Sequence, residues 1–174
     1  MKFCEIKRRV QTELACIRPV TLGVSAGVCV LLGAIFAVSL VGKPSCVLLP
    51  NAALPSFLGV LLQFIAYALF GAAFGILLGM PFYGENTRAL HMQKRWALVL
   101  FSCLLVLCYA WTPVVCKAGS FLLGALLCGV ILLGVAVLLL FVHRISLLCA
   151  AALVLFALWV VYLLYFTVLL LAFF

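Results

Sequence analysis

Aspartate is absent from this chain, and its only acids are Glu5, Glu13 and Glu85. All three fall outside the long apolar runs. Proton-coupled transporters need an ionisable group at membrane depth, intramembrane aspartyl proteases need paired carboxylates, and oxygen-ligand metal sites need several acids together; none of these classes fits. Histidine occurs only as His91 and His143, in separate segments without acid or cysteine partners, so no metal site is indicated. The nine cysteines include no C-x-x-C pair, which removes zinc-knuckle and thioredoxin-like readings. A serine nucleophile would need a base within reach, and the outer half offers none. The chain reads as a non-enzyme without a cofactor.

Water-facing surface is equally scarce: 8% of the residues are charged and 70% are apolar, far from the balance of a soluble domain. In hydrocarbon every backbone N–H and C=O must be paired inside the protein, leaving helices or a closed barrel as spanning elements. The apolar runs are continuous, with no strand-like alternation, so they are helices. They predict an all-α integral membrane protein, a five-transmembrane-helix bundle, with helices at about 21–41, 57–80, 96–112, 118–142 and 145–173 behind a basic segment, 1–20. Pro113 marks the expected end of the third helix. The first run is too long for the ~7–15-residue core of a signal peptide and is read as a span.

Basic residues set the orientation. Lys2, Lys7, Arg8, Arg9 and Arg18 precede the first helix, Arg88, Lys94 and Arg95 lie between the second and third, and Arg144 between the fourth and fifth; Lys43 and Lys117 alone fall opposite. The N-terminus is therefore expected in the cytoplasm and the C-terminus outside, in a bacterial cell membrane. The formal charge of +8 sits beside helix ends, where anionic headgroups lie. Membrane lipid is the expected partner, and nucleic acid is not.

Gly23 and Gly27 in the first helix, and Gly71, Gly75 and Gly79 in the second, recur every four residues and so share a face. Such faces let helices approach closely, either within one bundle or across a homodimer. Ser25, Ser102 and Thr112 read as hydroxyls bonded to helix carbonyls or to neighbouring helices. The loop from Gly42 to Pro55 carries three prolines yet is apolar; lid and plain connector are both open. Cys46 and Cys116 share its side of the membrane without any spacing that proves a bond.

Aromatic residues gather toward the outer half: Tyr109 and Trp111 end the third helix, while Trp159, Tyr162 and Tyr165 lie in the fifth. They suit stacking on a planar apolar ligand, and equally an interfacial belt or helix packing. Their order, with Lys43-Pro44, Trp111-Thr112-Pro113 and Arg144-Ile145-Ser146 before Trp159, resembles the TspO/MBR family, the tryptophan-rich sensory proteins related to the translocator protein or peripheral benzodiazepine receptor. The resemblance runs from about Gly42 to Leu171. It implies a TspO-like five-helix fold and a receptor, sensor or translocator that binds a hydrophobic small molecule of the tetrapyrrole or sterol class. It also implies Trp111, Trp159 and Phe156 as ligand-binding wall residues. Where the family has a loop tryptophan this chain has Cys46, the asparagine before the third-helix tryptophan is Cys108, and the fifth-helix Pro-Tyr is Leu155-Phe156. Lost polar positions imply a greasier pocket, held by apolar burial at about 25 cal/mol per Å². A small transporter or channel, or an assembly partner docking through its glycine faces, are the alternatives.

Overall fold

A computed structural model describes residues 10, 12–13, 18–38, 56–80, 87–116 and 118–173. The loop 42–55 and Cys46 lie outside them, and with them the lid and the Cys46–Cys116 pairing. Five helices account for almost all of the described chain: α1 Pro19–Val38, α2 Ser56–Gly79, α3 Thr87–Cys116, α4 Phe121–Val142 and α5 Leu147–Phe173. No strand occurs among the described residues. In α2 to α5, apolar stretches at Leu61–Gly79, Leu90–Val115, Phe121–Val142 and Leu147–Ala172 are long enough to cross a membrane. The stretch in α1, Pro19–Ile35, is shorter.

The helices form a ring in the order α1, α2, α5, α4, α3, each packed on the next, and α3 closes only lightly back onto α1 and α2. Leu133, Leu140, Val106 and Val20 are exposed on the outside, as a surface solvated by lipid tails requires. The inside is close-packed around phenylalanines: Phe70 of α2 lies 4.9 Å from Phe101 of α3 and 4.6 Å from Phe156 of α5, ring centre to ring centre. Tilted pairs at such distances let ring edges meet ring faces.

The glycine row of α2 is covered by α1. A Cβ on Gly71 would stand 2.8 Å from the Ala26 Cα and the Ser25 carbonyl oxygen, and one on Gly75 would strike the Ser25 hydroxyl and come within 2.9 Å of the Leu22 Cα. Backbone thus touches backbone, the van der Waals contact on which helix association in lipid depends. Gly23 and Gly27 have nothing within 4 Å of a Cβ and face outward. Gly33, further along α1, receives the Tyr67 ring instead.

The third helix is longer than its apolar run predicts at both ends. Its first turns carry Lys94 and Arg95, which an apolar window leaves out, and Lys94 Nζ donates to the carbonyls of Leu78 (3.0 Å) and Met80 (2.8 Å) at the end of α2. Carbonyls at a helix end lack the usual i+4 donor, so the lysine ties the end of α2 to the first turns of α3. Beyond the expected stop the helix passes through Pro113 to Cys116. Proline removes one N–H from the ladder, but three further residues complete the turn. The Ala118 N–H then donates to the Pro113 carbonyl at 3.1 Å, and Gly119, at φ 64°, supplies the left-handed residue that reverses the chain.

The start of α5 has a partner far away in the chain. Ser146 Oγ accepts from the Cys149 N–H at 3.2 Å, as a helix cap does. The same hydroxyl donates to Glu13 Oε2 at 3.0 Å, while the Leu147 and Leu148 N–H groups donate to Glu13 Oε1 and Oε2 at 3.1 Å each. The buried Glu13 side chain thus ties the N-terminal segment to the last helix.

Candidate functional site

Trp111, Phe156 and Trp159 converge on one pocket in the half of the bundle away from Arg18 and Arg144. With them stand Gln63 and Tyr67 of α2, Cys108 of α3, Cys128 and Ile131 of α4, and Val160 and Leu163 of α5. Helical periodicity explains the α5 wall: positions 156, 159, 160 and 163 fall on one face. Trp111 and Cys108, three residues apart, do the same on α3.

The pocket is nearly closed. It leaves about 10 Å³ of free space, no more than one water molecule needs. Trp159 is half-buried and stacks on Tyr162, with ring centres 5.2 Å apart and planes 30° from parallel. Phe156 is 2% exposed and rests on Phe70. Trp111 is 6% exposed, and its indole Nε1 is buried with no well-formed hydrogen bond, only the weakly accepting Cys128 thiol lying beside it. That nitrogen lies beside α4, 3.7 Å from where a Cβ on Gly124 would sit. A buried N–H donor left unmet is uncommon and costly in a folded protein, so this one is a ready point for an acceptor atom. The amide of Gln63 is engaged, donating to the Tyr67 hydroxyl at 2.9 Å.

The other aromatic residues of the outer half take different places. Tyr109 faces the α1 seam, donating its hydroxyl to the Cys29 carbonyl at 2.7 Å and packing its ring 5.2 Å from Tyr67. Tyr165 is 57% exposed on the outside of α5. Trp96 is likewise outward, at 62%. Gln63, Tyr67 and Cys128 were not among the residues expected from sequence, and Cys108 entered only as the residue replacing a family asparagine. Gln63 had a usable signal, an amide within an apolar span; Cys128 did not, since it reads as a small core residue.

The model of the TspO/MBR family matches residues 25–172, nearly the whole chain. This chain belongs to the TspO/MBR family. Comparison with curated proteins and with solved structures finds no match. As a TspO/MBR protein it is an integral, multi-pass membrane protein with a role of the sensor, receptor or translocator type. The family match covers every residue of the aromatic pocket and starts inside α1, at Ser25.

Proposed function

We propose that this protein is a non-enzymatic membrane receptor or translocator-like protein that holds a planar hydrophobic ligand, of the tetrapyrrole or sterol class, between Trp111, Phe156 and Trp159. The observation that carries this reading is the buried Trp111 N–H, with no well-formed hydrogen bond, on the wall of a pocket lined mostly by rings and aliphatic groups, with the Gln63 amide and the Cys108 and Cys128 thiols among them. A ligand acceptor would satisfy it while flat apolar surface stacks on the indoles. With so little free space, the ligand must displace side chains, and the half-buried Trp159–Tyr162 stack is the wall best placed to give way. A homodimer, if the protein forms one through glycine faces, uses Gly23 and Gly27, because α1 covers the α2 row.

A metal-free porphyrin is the test ligand. It is expected to quench tryptophan fluorescence saturably, with Trp111 and Trp159 responsible and the outward Trp96 a bystander. Trp111→Leu and Trp159→Leu each weaken binding by about tenfold, the equivalent of roughly 1.4 kcal/mol, and Trp96→Leu leaves it unchanged. Detergent and protein stability are held constant, since porphyrins partition into micelles. Unsaturable quenching, or three variants behaving alike, overturns the pocket.

The same proposal sets the N-terminus in the cytoplasm of a bacterial cell. Arg18, Lys94, Arg95 and Arg144 fall at one end of the bundle, as the positive-inside rule requires. In a cysteine-depleted variant, single cysteines at Lys43 or Lys117 are expected to react with an impermeant thiol reagent on intact cells, and one at Arg88 is not. The reverse pattern inverts the topology while leaving the bundle intact.

A further inference from the structure

A second open space among the described residues is larger than the aromatic pocket: a furrow of about 400 Å³ along the lightly closed seam between α1 and α3, within the roughly 300–1,000 Å³ typical of small-ligand sites. Its floor is closed by Phe70, Phe101 and Cys29, all 5% exposed or less. Its rim is open: Val20, Val24, Val28 and Leu78 are between 48% and 73% exposed, and Ser102 is exposed as well. The opening is therefore lateral, toward the bilayer.

Three properties select the occupant. Every hydroxyl on the wall is already used as a donor, Thr21 to the Arg18 carbonyl (2.8 Å), Ser25 to those of Thr21 and Leu22 (2.8 and 3.1 Å), and Ser102 to that of Leu98 (3.0 Å). The furrow offers no free directional donor and suits an aliphatic chain. From Val20 to Cys29 the wall rises about 14 Å at ~1.5 Å per residue, half of a ~30 Å hydrocarbon core and so the depth of one leaflet. A partner helix, ~10 Å across with its side chains, would fill on the order of 1,000 Å³ over that length and is too bulky.

The end of the furrow near the membrane surface is basic. Arg18 precedes Thr21 and Ser25 by three and seven residues, and Arg95 precedes Ser102 by seven, so each lies on the stripe that lines the seam. Both are exposed, and neither makes an ion pair among the described residues. We propose that the α1–α3 seam is a lipid site that seats one acyl chain of an anionic phospholipid, with Arg18 and Arg95 meeting its headgroup. Phe70 separates this site from the aromatic pocket, touching Phe101 on one side and Phe156 on the other. The lipid site stands independently of the ligand proposed there.

The delipidated protein is offered equal amounts of phosphatidylglycerol and phosphatidylcholine with the same chains, and retained lipid is counted by native mass spectrometry. One phosphatidylglycerol per chain is expected, preferred by about thirtyfold, as two surface arginines at a membrane would give. Val24→Phe and Ser102→Phe, on opposite walls, each fill the furrow and lower retention by about tenfold. Both positions are exposed, so the added ring enters the furrow without disturbing the core, and two variants guard against one that misfolds. Arg18→Gln with Arg95→Gln removes the headgroup preference but not the chain. Leu133→Phe, on the outside of α4, has no effect. Equal retention of the two lipids, no retained lipid, undiminished retention in both filled variants, or a lipid-free dimer that the filled variants abolish overturns the proposal.

Discussion

Replacing Gly75 with leucine lowers the stability of the bundle by about 3 kcal/mol or more, at or above the top of the usual range for overpacking a core. The cause is the nature of the neighbours. A Cβ at Gly75 meets the Ser25 hydroxyl, then the Leu22 Cα at 2.9 Å and the Thr21 carbonyl oxygen at 3.0 Å. A flexible side chain can swing aside, but backbone cannot without moving α1 as a body. Because α1 closes only lightly onto α3, its contact with α2 is most of what holds it, and the variant is expected to loosen the whole helix. Gly27→Leu is the matched control. It adds the same side chain to α1 where a Cβ meets nothing within 4 Å, and its better helix propensity offsets little else. Thermal unfolding in one detergent checks both. Equal midpoints for the two variants would mean that the α1–α2 contact is not backbone on backbone.

The contrast between these glycines shows how far the sequence could be read. Long apolar runs specify helices because the bilayer leaves the backbone no other partner, so five elements were legible. Four-residue spacing correctly placed Gly71, Gly75 and Gly79 on one face, but the same spacing in Gly23 and Gly27 marks a face turned outward. Spacing defines a face; which neighbour covers it is decided by the ring order, and α1 packs through Leu22, Ser25, Ala26, Cys29 and Gly33 instead. Pro113 misled in a similar way. Its lost hydrogen bond is a local fact, whereas the continuation to Cys116 is a property of the whole helix. Trp111, Phe156 and Trp159 were named together through family resemblance, and the structure brings all three to one pocket, whose ligand is a proposal. Their neighbour Cys108 was marked only as the replacement of a family asparagine, and Cys128 not at all, since a thiol facing a pocket and one facing a helix look alike in sequence. The furrow left no trace at all, for it arises from an imperfect closure between α1 and α3 and not from any residue pattern.

Glu13→Ala is expected to cost on the order of 2–4 kcal/mol, although an acid in a basic leader segment carries no periodic signal of importance. The first N–H groups of a helix have no partner of their own and sit at the positive end of its dipole. At α5, Ser146 satisfies the Cys149 N–H, and the carboxyl of Glu13 takes those of Leu147 and Leu148 together with the Ser146 hydroxyl. Alanine leaves all three donors without that acceptor at a largely buried site. Glutamine keeps one acceptor oxygen, so Glu13→Gln should fall between alanine and the parent. Two measurements distinguish this clasp from a general loss of fold. Thermal unfolding reports the total, and amide hydrogen exchange should show faster exchange at Leu147, Leu148 and Cys149 while the α1–α2 contact around Gly75 keeps its protection. Unchanged exchange at those three amides in Glu13→Ala would show that the cap does not depend on Glu13. If they do exchange faster, the start of α5 depends on the Glu13 carboxylate, and any event that draws Glu13 away will fray α5 from its start, the same helix that carries Phe156 and Trp159.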